Sequence, residues 1–152
     1  MQEAGATQRE ILAWLASVGE AVGGPDATVS ILVLDQDGLL RNGASPRLPA
    51  DYLLAIDRLK PSPNVGTCAA AAATGRTVIT PDFLADEKWG ELRHLPLALG
   101  YVGAWSVPIK ATDGKVLGTF GTYFRSRREP GPEERQNVEL LSAAAAVALA
   151  AP

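Results

Sequence analysis

A chain of 152 residues with 47% hydrophobic and 20% charged residues has the size and composition of one globular domain with a real core. Its net charge of −3 argues against a nucleic-acid surface, and a single cysteine excludes an internal disulfide or an all-cysteine zinc site. No apolar run approaches the roughly 20 residues of a membrane span, and the amino end, MQEAGATQRE, lacks the basic-then-apolar order of a secretory signal. A cytoplasmic location is the expectation.

Residues 7–22, TQREILAWLASVGEAV, place Ile11, Trp14, Leu15, Val18 and Val22 at three- and four-residue intervals. That spacing predicts an amphipathic helix, closed by Gly23, Gly24 and Pro25. ATVSILVLD is rich in β-branched residues and runs into Asp37-Gly38, a hairpin turn, with LLRNG as the returning strand. Both faces of the first strand are apolar, which places it inside a sheet covered on both sides. Leu48 to Leu59 reads as a helix with Pro49 in its first turn, broken by Pro61, Ser62 and Pro63.

The stretch VGTCAAAAATGR follows, and its alanines form the next helix between Gly66 and Gly75. TVITP is a short strand. Residues 82–103 hold a loop and a helix, with Trp89, Leu92, Leu95 and Leu99 available for one apolar side. AWSVPIK and KVLGTFGTYF then form a long hairpin about Asp113-Gly114. The last helix starts at Pro132-Glu133 and carries Val138, Leu141, Ala145 and Leu149 in a narrow stripe. This order predicts an α/β domain built on an antiparallel sheet.

Taken in order, SILVLD with DGLL, the LPxxYLLAID segment, GxCxxA, DxxxDxxW, AWSVPI and GKVLGTFGTYF resemble the GAF domains of bacterial sensor histidine kinases and diguanylate cyclases. The resemblance covers essentially the whole chain, about residues 8–150 of a single domain spanning 1–152. It implies a central antiparallel sheet of about six strands, terminal helices on one face, and a ligand pocket roofed by helices and loops on the other. It also implies a sensory or dimerising module that biases an attached or partner output domain, and leaves open whether the chain is a segment of a longer signalling protein or one of the small stand-alone members. Two positions depart from the related pattern. Ala69 and Ala70 stand where glycine and threonine usually follow the cysteine, and Ala104 stands where a second cysteine often precedes the tryptophan.

Cys68 admits two readings. Near a helix amino terminus, free amides and the helix dipole favour a reactive thiolate. The simpler reading is a small buried residue where the alanine helix meets the sheet. The amides of Thr67, Cys68 and Ala69 are also placed to bind a small anion. Phe83, Trp89, Tyr101, Trp105 and Tyr123 are candidates to wall a pocket, and Trp105, Val107 and Ile109 alternate onto one sheet face. The expected pocket residues are Cys68, Ala69, Trp89, Tyr101, Trp105 and Tyr123.

Sharper activities find no support in these residues. Free methionine sulfoxide reductases share the implied fold but need more than one cysteine, and no Cys-His pair exists for a bilin. The cyclic-nucleotide signature is absent, and His94 alone does not argue for haem. Asp35-x-Asp37-Gly38 starts like a calcium loop but lacks the distal glutamate, so a hairpin turn explains it. Arg125, Arg127 and Arg128 read as a solvated basic loop, and Arg93 with His94 as exposed charge near a pocket rim. No catalysis, bilin or haem is expected. Three functions stay open: a ligand-binding sensory domain, a ligand-free dimerisation module, and a thiol redox sensor through Cys68. A homodimer through the terminal helices is expected.

Overall fold

The computed structural model describes residues 7–86, 89, 94–126 and 128–150. Leu92, Arg93 and Arg127 lie outside the described residues, as does the side chain of His94. The chain opens with α1 (Gln8–Gly23), started by a capping box. Glu10 N donates to Thr7 Oγ1 at 3.1 Å and Thr7 N donates to Glu10 Oε1 at 2.9 Å, so two otherwise orphaned amides are satisfied. Gly24, at φ 94°, ends the helix. The buried stripe is Leu12, Leu15, Ala16 and Gly19, not the expected stripe through Trp14, which lies 65% exposed. The reason is Gly19: a Cβ there would lie 2.7 Å from Phe120 Cζ, so the helix turns its smallest surface to the sheet.

Five strands form one antiparallel sheet in the order β2-β1-β5-β4-β3. They are β1 (Ala27–Leu34), β2 (Leu40–Ala44), β3 (Val78–Thr80), β4 (Gly103–Lys110) and β5 (Val116–Phe124). Among the described residues the sheet has no sixth strand, and an isolated bridge joins Leu40 of β2 to Leu59. That bridge also shortens the predicted helix 48–59. Its remnant, α2 (Ala50–Ala55), stops because Arg58 turns to φ 63° and donates its amide to Leu40 O at 3.0 Å. At the first hairpin, Asp35 Oδ1 accepts from Asp37 N at 2.9 Å and from Leu39 N at 3.0 Å, which makes this aspartate a turn residue. The remaining helices are α3 (Thr67–Thr74), α4 (His94–Ala98) and α5 (Pro132–Ala150).

Strand alternation sorts the sheet into two chemically different faces. On one face, Val29, Ile31, Trp105, Val107, Ile109, Phe120 and Phe124 pack with Leu12, Leu15 and Ala16 of α1 and Val138, Ala145 and Ala146 of α5. Leu141 and Leu149 join this core, so the narrow stripe of α5 is spent within the domain. The opposite face is built of registered rows. Thr28, Tyr123, Ala104 and Thr80 form one row, and Ser30, Gly121 and Ser106 the next. Leu32, Thr119 and Pro108 form the third. This face is small and rich in hydroxyls, and α3 lies over it.

Candidate functional site

Alanine gives α3 both its helicity and its thinness. Thr67 to Ala72 are all buried, because the backbone comes close to β4 and β5. Cys68 packs directly on Gly121 of β5. Its Sγ lies 2.8 Å from where a Gly121 Cβ would stand, so the thiol occupies the space that the missing side chain leaves. Burial pushes the Cys68 thiol above its ordinary value, and the hydroxyls of Ser106 and Thr119 beside the sulfur offset part of that rise. A protonated, 8% exposed thiol is a poor nucleophile at neutral pH.

The hydroxyls of this face pair off almost completely. Trp89 Nε1 donates to Thr67 Oγ1 at 2.7 Å, and Thr67 Oγ1 donates to Thr80 Oγ1 at 2.9 Å. Tyr52 OH donates to Tyr123 OH at 2.8 Å, and Tyr101 OH donates to Thr28 Oγ1 at 2.7 Å. Ser45 donates to Asn42 Oδ1 at 2.7 Å, so Ser30 is the donor in its 2.7 Å bond to Ser45. Two hydroxyls are left over. Ser106 Oγ and Thr119 Oγ1 are buried and reach no oxygen or nitrogen partner among the described residues; their neighbour is the Cys68 sulfur, a weak acceptor whose contact falls short of good hydrogen-bond geometry. Both flank Cys68, a residue of the first turn of α3, and the cap residue Gly66 supplies no side chain to that turn.

Aromatic rings close the neighbouring space. Phe83 and Trp89 stand 4.3 Å apart, Tyr101 and Tyr123 5.4 Å, and Tyr52 meets Tyr123 edge-on at 6.0 Å. Burial pushes the phenols of Tyr52 and Tyr123 well above the usual range. The structure gathers Trp89, Tyr101 and Tyr123 with Phe83 in one cluster, while Cys68 packs in a separate one with Leu32, Leu40 and Ala72, and Ala69 is buried beside it on α3. Trp105 is a correction. It belongs to the core under α1 and α5, because its strand neighbours Ala104 and Ser106 face α3 and a strand cannot turn consecutive residues the same way. Tyr52, Ser106, Thr119 and Gly121 were not singled out from sequence. The readable trace was the alternation in Thr119, Gly121 and Tyr123, which sets small or hydroxylated residues on the face opposite Phe120 and Phe124.

The family model for GAF domains matches residues 5–150. This chain belongs to the GAF family. A relative, the methyl sulfide methyltransferase-associated sensor of Methanosarcina acetivorans, is 32% identical over 146 residues. The match covers 95% of this chain but 14% of that protein, so the domain spans a small part of the relative's length. Among solved structures, a domain from Sinorhizobium meliloti assigned to a two-component sensor histidine kinase matches with a TM-score of 0.78 at 18% identity. That match covers 95% of this chain and 92% of the other. The type II free methionine-R-sulfoxide reductase of Thermoplasma acidophilum matches with a TM-score of 0.76 at 15% identity, over 93% and 92% of the two chains. At these identities the likeness speaks to the fold. GAF domains are generally regulatory, although the reductase carries catalysis on the same scaffold. Among the described residues of this domain, no three His, Cys, Asp or Glu side chains gather as a metal site, and no helix is long and apolar enough to cross a membrane.

Proposed function

We propose that this GAF domain is the sensory input module of a signalling protein of the two-component histidine kinase type, taking a small ligand between α3 and the sheet. One observation carries the reading: Ser106 Oγ and Thr119 Oγ1 are buried with no oxygen or nitrogen acceptor among the described residues, and meet instead the weakly accepting sulfur of Cys68, in the uncapped first turn of α3. A buried hydroxyl left unpaired costs about 1–3 kcal/mol. A ligand with compact acceptor atoms, a small anion or a small carbonyl compound, recovers that cost. Cys68 and Ala69 supply backbone amides, while Tyr101, Tyr123 and Trp89 supply the apolar wall. The domain performs no catalysis in this reading and carries no bilin or haem.

The output side is a homodimer through the outer faces of the terminal helices. Trp14 on α1 and Leu140 and Val147 on α5 are 65%, 70% and 73% exposed. Leu140 and Val147 sit seven residues apart, the spacing of a helix seam. Ligand occupancy then shifts a population of helix arrangements that the output domain reads. A second reading, a ligand-free dimerisation module, is favoured by the interlocked rings of Phe83, Trp89, Tyr101 and Tyr123. The thiol-sensor reading draws little from the raised Cys68 thiol.

A thermal-shift screen with acetate, pyruvate, phosphate, amino acids and nucleotides separates the first two readings. A ligand at ~100 times its dissociation constant adds about 2.7 kcal/mol, a rise of several degrees. Such a rise with one chemical class supports the sensor. A flat screen at millimolar concentrations favours the dimerisation module.

A further inference from the structure

The chain leaves β5 through two arginines that grip opposite layers of the domain. Tyr123 faces α3 and Phe124 faces the terminal helices, and one arginine covers a ring on each side. The guanidinium of Arg125 lies 4.5 Å from the centre of the Tyr101 ring, and its Nη1 donates to Leu99 O at 2.9 Å. Arg128 lies 3.9 Å from the centre of the Phe124 ring. Its Nη1 donates to Glu134 Oε1 at 2.8 Å, in the first turn of α5, and its Nη2 donates to Gly23 O at 3.1 Å, at the end of α1. Asp26 Oδ1 stands 3.6 Å from the same guanidinium, and Ser126 Oγ donates to Asp26 Oδ2 at 2.8 Å. Arg125 is exposed, as expected of a solvated basic loop, but it and the half-buried Arg128 also make these specific contacts; Arg127 lies outside the described residues.

The consequence is mechanical. Tyr101 is one of the residues through which the α4 segment meets the α3 face, by its bond to Thr28 and its contact with Tyr123, beside Leu95, Leu97 and Leu99. Arg125 fixes Tyr101 to the end of β5. Arg128, three residues on in sequence, is bound to the facing ends of α1 and α5. Cation-π pairs with a planar guanidinium keep their geometry better than a lysine would, so both grips are directional.

We propose that Arg125 and Arg128 form one coupling element, which passes displacement of Tyr101 on the α3 face to the junction of the two terminal helices. Its signalling meaning rests on the sensory reading above, whereas the mechanical coupling does not. Neither arginine touches the proposed ligand, so both are positioning residues. The coupling makes a claim about the ligand-free protein: loosening one grip loosens the other.

Hydrogen exchange on the intact chain tests it without any ligand, comparing wild type with R125Q, R128Q and the double variant. Three segments are followed: residues 97–101, residues 132–138, and residues 119–122 in the middle of β5 as a control for global unfolding. In R125Q, exchange is expected to rise about five-fold at 97–101 and also at 132–138, which Arg125 does not touch. The double variant should exchange at 132–138 no faster than R128Q alone. Where R125Q fails to fold, R125K keeps the charge, loses the planar stacking and is read in the same way. An R125Q or R125K effect confined to 97–101, or effects of the two arginines that simply add at 132–138, overturns the proposal. A flat ligand screen combined with propagated exchange would remove the sensory meaning and leave the coupling standing.

Discussion

Cys68 and Gly121 are best understood as one packing unit. A methyl at Gly121 would come 2.8 Å from the sulfur and 3.4 Å from the carbonyl oxygen of Ser30, while the backbone there has no need of glycine's positive φ. Gly121→Ala should therefore cost about 1–3 kcal/mol through overpacking. Adding Cys68→Ala should recover most of that loss, although each substitution alone destabilises. Urea unfolding of the four-member cycle measures it, and additive costs would show that the two residues do not share the space. The same burial sets the alkaline behaviour. Cys68, Tyr52 and Tyr123 all titrate higher in the folded chain than their ordinary values of 9.0 and 10.0. The unfolded chain then loses protons first, so stability is complete below about pH 8 and falls as pH rises through the ordinary cysteine value. Loss continues through the tyrosine range until the folded groups ionise. Unfolding free energies from pH 7 to 11 should show this decline, and Cys68→Ala should remove its first part.

Among the elements, α3 is the one whose composition decides the architecture. Ala71 is fully buried against the sheet, and Ala71→Leu should push the helix outward at a cost of about 1–3 kcal/mol, read as a lower denaturation midpoint. At α1, Thr7→Ala should cost about 1 kcal/mol, because one side chain serves a capping box. These elements were legible in the sequence for local reasons: the alanine run between two glycines, Asp-Gly at both hairpins, and the β-branched run in β1. What escaped was set by tertiary contact. The stripe of α1 was misread because Trp14 dominates hydrophobicity, whereas Gly19 decides which side can approach Phe120. The helix predicted over 48–59 was cut short by a bridge to Leu40, a contact that spans sequence and leaves no local mark. Trp105 was assigned to the pocket by chemistry alone, and strand parity placed it under the terminal helices.

At the scale of the whole molecule, the two faces of the sheet divide the work. The face under α1 and α5 is largely apolar, although Trp105 Nε1, Thr122 Oγ1 and Ser142 Oγ are also buried there without a partner among the described residues, and it anchors helices whose outer surfaces remain apolar at Trp14, Leu140 and Val147. If those surfaces pair two copies, Leu140→Asp with Val147→Asp should leave the fold intact and shift sedimentation from dimer to monomer. An unchanged sedimentation coefficient would remove the helix interface from the proposal. The face under α3 holds a nearly closed set of paired hydroxyls with two donors left over. The family resemblance could point to this face, since an ordered set of motifs fixes a fold. It could not point to Ser106 and Thr119, whose significance lies in their having only the Cys68 sulfur where a stronger acceptor would pair them.

Those two hydroxyls offer the most direct test of the sensory role. The measurement is the unfolding temperature of wild type and of a Ser106→Ala, Thr119→Val double variant, with and without each compound of the ligand panel. The expected result is that one compound class raises the wild-type temperature by several degrees at saturation and leaves the double variant unmoved. The contrary result is a wild type that responds to nothing, beside a double variant as stable as wild type or more so. In that case the two hydroxyls are simply unpaired in a filled core, and α3 covers packing rather than a ligand.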